Sequence, residues 1–182
     1  MKIRICILTL LISSFMIAQE KLPYYEIPEA PEHYTPGTVA SRMIDGLGFR
    51  YYWATEGLRE EDLKHKASDS SRTSEDIIDH ILGLSQFILN SISDKASKTE
   101  NSNFSFDEKR KLTLNNFKEV SNILKMTNDI SQYDNTRFPF WNIINGPIAD
   151  ALWHCGQVVM LRRASGNPFN SKVSVFTGKL KE

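Results

Sequence analysis

The sequence of residues 139–165 is PFWNIINGPIADALWHCGQVVMLRRAS. Apolar residues recur there at the three- and four-residue spacing of an α-helix, which predicts one long helix. Gly166 is a typical stop signal, and Arg162 and Arg163 suit the negative end of the helix dipole. Gly146–Pro147 predicts a kink in the first half. The row predicted to face the core consists of Ile143, Pro147, Asp150, His154, Val158 and Leu161.

Three earlier stretches, residues 38–55, 74–93 and 106–127, show the same helical spacing. Thr73 or Ser74 is the expected N-cap of the second stretch, and Ser105 with Glu108 has the spacing of a capping box before the third. The connectors, residues 56–73 and 94–103, are polar and lack a convincing strand pattern. Four amphipathic helices with few strand signals predict an all-α fold, a four-helix bundle.

The start of the chain has the layout of a secretory signal peptide. Lys2 and Arg4 precede the almost wholly apolar stretch Ile5–Ile17, and the small residue Ala18 marks a cleavage point. Residues 1–18 are therefore expected to be removed, leaving a periplasmic or secreted protein with no membrane anchor. An uncleaved N-terminal anchor is the alternative. We expect residues 19–37 to form a proline-rich arm, residues 38–170 the bundle, and residues 171–182 a tail that includes the β-like run 173–176.

The balance of basic and acidic residues limits the kinds of binding partner that we expect. The chain carries 22 basic and 22 acidic residues, and loss of Lys2 and Arg4 with the signal takes the formal charge from 0 to −2. Without a basic stripe, nucleic acid is not an expected partner. A small-molecule substrate or ligand is expected instead, together with a homodimer, which is common among such bundles.

Several other residues with reactive or charged side chains have simple structural interpretations. Cys155, the only thiol once the signal is removed, is predicted to be a small packed residue. His33 and His65 are predicted to be solvated. The charged run 59–66 is predicted to be a solvated loop or helix face.

The informative polar residues are those on the apolar stripes. His80 lies beside Ile77 and Ile81 on the second helix. Asp150 and His154 are four residues apart and therefore share one face of the fourth helix. Two interpretations are open. The three side chains form a hydrogen-bonded structural cluster, or they bind a divalent metal (zinc, iron or nickel) through two imidazoles and a carboxylate.

The segment Asp150-Ala-Leu-Trp-His154-Cys-Gly156-Gln157, followed by Leu161-Arg162 and Gly166-Asn-Pro168, resembles the last helix of DinB-like proteins. Members of that superfamily carry His-x-x-x-His-x-Gly-Gln there and Gly-x-Pro after it. The stretch Leu58–Leu84, with a histidine inside the second helix, is also similar. The resemblance covers residues 38–168, although only the last helix is dense in motifs.

This resemblance implies an up-down-down-up bundle whose metal is held by three histidines, one on the second helix and two on the fourth. His80 matches the first of these ligands and His154 the last, whereas Asp150 replaces the middle one. Relatives include metal-dependent thiol transferases and hydrolases, so the resemblance implies a metal-dependent hydrolase or transferase; no catalytic residue is assigned. The alternative is a non-catalytic exported bundle that binds a small ligand or partner and uses the polar cluster only for structure.

Overall fold

The computed structural model describes residues 21–93, 104–135 and 137–182, and the protein is all-α. The predicted signal peptide and the connector 94–103 lie outside these ranges. The helices are α1 (Pro36–Thr55), α2 (Glu60–Lys64), α3 (Ser74–Ile92), α4 (Phe106–Lys125), α5 (Phe140–Ile143) and α6 (Ala149–Ala164). A 3₁₀ turn spans Ile130–Tyr133, and two short antiparallel strands are β1 (Val173–Ser174) and β2 (Lys179–Leu180). Within the described ranges, no helix combines the length and apolar character that a membrane span requires.

Side-chain caps fix where the long helices begin. Thr73 accepts a hydrogen bond from the backbone of Asp76 at the start of α3, and Ser105 accepts one from the backbone of Glu108 at the start of α4. Both caps follow the prediction. The first helix begins two residues before its predicted start, because Thr35 caps it and Pro36 occupies the first helical position, where a missing N–H costs nothing.

Contacts near the helix ends tie the long helices together. Arg110, near the start of α4, donates a 2.9 Å hydrogen bond through Nε to Thr55 Oγ1 at the end of α1. Lys109 Nζ, also near the start of α4, lies 2.7 Å from an oxygen of Asp79 in the first half of α3. Arg162, near the end of α6, donates to carbonyls at the end of α1.

The core lies between α1, α3, α4 and α6. The rings of Tyr51 and Phe117 meet edge to face at a centroid distance of 6.2 Å across α1 and α4. The α6 residues that reach this core include Ala151, Cys155 and Val158. Burial of such apolar area is the main contribution to the stability of the bundle.

The proline-rich arm packs on the bundle through Tyr24, which is only 3% exposed and has a φ of 72°, unusual for a residue with a side chain. Its ring lies against Gly48, where a Cβ atom would come within 2.5 Å of ring carbons. The hydroxyl donates a 3.2 Å hydrogen bond to Asp45 Oδ1, which also accepts one from Ser121. A residue outside the helices therefore completes the core.

The connector between α1 and α3 differs from its prediction. Residues 60–64 form the short helix α2, and Asp62 is fully buried. Its carboxylate accepts hydrogen bonds from Arg59, Ser165 and Asn167, the last at 2.6 Å. The prediction of a solvated segment is wrong at Asp62, because residues about a hundred positions away in sequence close over it.

The predicted break at Gly146–Pro147 takes the form of a π-type turn, Ile144–Ile148, between α5 and α6. Proline has no N–H to donate to the helical ladder, so a wider turn forms around it. After α6, the β-like run predicted at 173–176 contributes β1 to the small hairpin with β2. The backbone N–H of Ile27 in the arm donates to Gly178 in that hairpin at 2.8 Å.

Candidate metal centre

The structure brings His80, Asp150 and His154 together at the contact between α3 and α6. His80 Nε2 lies 3.0 Å from Asp150 Oδ2, and His154 Nε2 lies 3.4 Å from Asp150 Oδ1. One potential ligand atom from each residue lies within 4.8 Å of the others. This is the only such group of His, Cys, Asp or Glu side chains within residues 21–93, 104–135 and 137–182. The three residues could therefore hold a metal ion.

Helical geometry places these groups. Asp150 and His154 are separated by one turn of α6, so both side chains lie on one face. On α3, the buried neighbours Ile77 and Ile81 fix the helix against the core and leave His80 at the border with α6. The two imidazole rings meet nearly perpendicular, with centroids 4.7 Å apart.

The cluster is less deeply buried than the apolar stripes predict. The exposed fractions of the side chains are 37% for His80, 42% for Asp150 and 12% for His154. The prediction that Asp150 faces the core is therefore corrected: it lies in the first turn of α6, just after the π-type turn, at the edge of the groove beside α3. Contact with water lowers the free-energy cost of placing an ionised carboxylate there.

Gln157 supplies a further contact one turn after His154. His154 Nδ1 lies 2.8 Å from Gln157 Oε1. With the amide oxygen on the side of the ring, Nδ1 is the donor of this hydrogen bond. In a neutral imidazole that carries its proton there, Nε2 has the lone pair. Metal-binding histidines commonly have such a partner for their second nitrogen.

With this tautomer, His154 Nε2 and Asp150 Oδ1 face each other as two acceptors. The lone pair of His154 Nε2 points to Asp150 Oδ1, which as part of an ionised carboxylate also only accepts. Two acceptors at 3.4 Å repel each other unless a cation, either a proton or a metal ion, lies with them. His80 Nε2 satisfies the other carboxylate oxygen, either as a donor or as a second ligand. A shared proton or a divalent cation would each satisfy this pair, and two imidazoles with one carboxylate are a donor set that divalent metals accept.

The remaining candidate ligands do not join the cluster. Cys155 is 2% exposed, as predicted for a packed residue, and burial raises the pKa of its thiol to about 12. Such a thiol stays protonated at neutral pH and is a poor ligand. His33 is exposed, as predicted, whereas His65 is half-buried in the connector after α2.

A cleft opens beside His154 that periodicity in the sequence did not predict. Its volume is about 770 Å³, and its lining includes Arg72, Trp153 and Met160 in addition to His154. Trp153 and Met160 lie on the outer side of α6, and Arg72 comes from the connector before α3. The two large apolar residues Trp153 and Met160, seven positions apart and therefore on the same side of the helix, were the signal in the sequence.

Comparison of the chain with protein-family models, with curated proteins and with solved structures finds no match. The resemblance to DinB-like proteins remains a resemblance carried by the residues quoted above.

Proposed function

We propose that the protein is a divalent-metal-dependent enzyme of the DinB-like type, with His80, Asp150 and His154 as the metal ligands. One observation carries the proposal. The Nε2 atoms of His80 and His154 each face a different oxygen of the Asp150 carboxylate. Two imidazoles and one carboxylate suit zinc, nickel or iron, and leave positions for water or substrate.

The proposed topology is the up-down-down-up four-helix bundle that the resemblance implies. Three contacts support it: Arg110 with Thr55, Lys109 with Asp79, and Arg162 with the end of α1. In that arrangement α3 and α6 are antiparallel neighbours. Because α5 and the π-type turn precede α6 on the same helical stretch, the end of α3 is paired with those residues, and the start of α6 lies beside the first half of α3.

Hydrolysis is the reaction that we favour. A divalent metal supplies Lewis acidity and lowers the pKa of bound water. The protein's own residues hold the ligands in place, with Gln157 orienting His154, and bind the substrate in the adjoining cleft. None of the described residues lining that cleft is Asp or Glu, so no side-chain general base is assigned there. We also propose export, which separates the protein from the thiols that cytosolic thiol transferases use.

Metal content tests the proposal directly. The purified protein is incubated with zinc, nickel or ferrous iron, freed of excess ion, and measured by elemental analysis. We expect about one metal ion per chain, as in a single three-ligand site. His80→Ala and His154→Ala should each lose most of this metal, whereas His65→Ala, outside the cluster, should retain it.

A folded wild-type protein that binds none of these three ions would contradict the proposal. It would favour the alternative, an exported bundle in which the cluster has only a structural role. Retention of full metal content by both cluster variants would show that the metal lies elsewhere.

Gln157 offers a second prediction. Gln157→Leu removes the acceptor for His154 Nδ1, so the imidazole loses its fixed tautomer and orientation. Loss of such an outer contact weakens metal binding by about 10- to 100-fold. Competition with a chromophoric chelator measures this affinity. Gln157→Glu, which retains an acceptor oxygen, is the matched control and should bind the metal at least as tightly as the wild type. A metal affinity of Gln157→Leu equal to that of the wild type would refute the role of Gln157.

A further inference from the structure

The cleft beside the candidate metal centre has the size of a small-molecule site. Its volume of about 770 Å³ lies within the range of about 300–1,000 Å³ that is usual for ligand pockets. His154 forms part of its wall, so a molecule bound in the cleft would contact the cluster. The lining also includes Ala67 and Ser71 from the connector before α3.

Most of this lining is apolar. Ile77 and Leu161 are buried at its base, whereas Trp153 is 73% exposed and Met160 is 62% exposed. Large apolar side chains that stay in contact with water around a concave surface mark a site where an apolar group is bound. The body of the ligand is therefore expected to be apolar, with an area that can cover an indole ring.

Among the described residues that line the cleft, Arg72 is the one with a formally charged side chain. It is exposed and makes no hydrogen bond within the part of the chain that the structure describes. The Asp76 carboxylate lies near enough to attract Arg72 electrostatically, but within the described residues no hydrogen bond or ion pair joins the two; Asp76 accepts from the backbone and the hydroxyl of Thr73 at 2.9 and 2.8 Å. A guanidinium whose donors are available at the rim of an apolar cleft binds carboxylate, sulfonate or phosphate groups well.

We propose that this cleft binds a small organic anion, with its apolar body against Trp153 and Met160 and its acidic group on Arg72. The proposal rests on the proposed function in naming the substrate class of the same site. An apolar compound with one acidic group is complementary to both parts of the lining, whereas a cationic or strongly polar compound is complementary to neither.

Two fluorescent probes of similar shape and different charge test the proposal. The probes are 8-anilinonaphthalene-1-sulfonate, which is an anion, and N-phenyl-1-naphthylamine, which is neutral. Titrations use the full chain after treatment with a chelator, so that metal plays no part. Arg72→Gln should weaken sulfonate binding about tenfold, as expected for loss of one charged hydrogen-bonding partner, and leave the neutral probe unchanged. Trp153→Ala should weaken both probes severalfold.

Arg163→Gln is the matched control, because Arg163 lies on α6, the helix that carries Trp153 and Met160, but lines a separate groove with Phe169 and Val173. It should leave both affinities unchanged. Unchanged sulfonate binding in Arg72→Gln, or weakened sulfonate binding in Arg163→Gln, would overturn the proposal, as would a wild-type protein that binds neither probe. Metal content is measured separately on Arg72→Gln. Probe binding that depends on Arg72 in a protein that takes up no metal would overturn the enzyme proposal and leave the anion site standing.

Discussion

Arg162→Met is expected to lower the free energy of unfolding by about 3–5 kcal/mol, since it leaves several buried carbonyl oxygens without partners. Arg162 is 2% exposed. Its Nη1 donates to the backbone oxygens of Trp53, Ala54 and Glu56, each at 3.0 Å. These oxygens lie at the end of α1, where the last carbonyl groups have no N–H partner within the helix. One guanidinium thus terminates α1 and fixes α6 beside it.

Urea unfolding monitored by circular dichroism measures this loss. Arg163→Met is the control, because the neighbouring Arg163 is exposed and contacts only the ring of Phe169 among the described aromatic residues. It should cost less than about 1 kcal/mol. Similar losses for the two variants would show that the bonds to the end of α1 contribute little.

Asp62→Asn is expected to lower the free energy of unfolding at pH 7 by about 3 kcal/mol, because it replaces a buried acceptor of charged hydrogen bonds with a group that is half donor. Asp62 accepts from the backbone N–H of Arg59 at 2.8 Å, from the Arg59 guanidinium, and from Asn167. The amide of asparagine would place N–H groups against some of these donors. Glu60→Gln, in the same short helix but exposed, should change stability by less than about 0.5 kcal/mol.

The effect of Asp62→Asn should depend on pH in a defined direction. Hydrogen bonds from the Arg59 side chain, helped by those from Ser165 and Asn167, hold the pKa of Asp62 well below its usual range. In the unfolded chain an aspartate has a pKa of about 3.9. The stabilisation is therefore present above about pH 4 and is lost as the pH falls below it. The stability difference between wild type and variant should shrink in acid; a difference that grows on acidification would contradict this account.

The helices could be predicted from the sequence because their signals are local. Apolar residues at helical spacing and the caps Thr73 and Ser105 locate α3 and α4 within a few residues. Pro147 within an otherwise helical stretch indicates the break before α6. Each of these signals depends on residues within one or two turns of the feature it predicts.

Only part of the candidate site could be predicted in this way. The spacing of Asp150 and His154 places both on one face, and His80 lies on a stripe that must meet another helix. How exposed the cluster is depends on the π-type turn and on the groove between α3 and α6, which no local pattern specifies. Arg72 could not be assigned to the cleft, because its position depends on how the connector folds back onto α6.

The burial of Asp62 escaped prediction for the same reason. Most of its neighbours in sequence, among them Glu60, Glu61 and Lys64, are charged and exposed, so the local pattern indicates a solvated segment. The residues that enclose it, Ser165 and Asn167, follow α6 and are distant in sequence. Charged side chains are buried where distant partners compensate them, and a single sequence gives no direct sign of such pairs.

Tyr24 has a consequence for where this molecule can be shortened. A chain that started at the first turn of α1 would lack the phenol ring, leaving a void above Gly48 and opening Asp45 to solvent. The smallest stable unit therefore includes the segment before α1 that carries Tyr24. A polypeptide that consisted of the helices alone would have a lower free energy of unfolding.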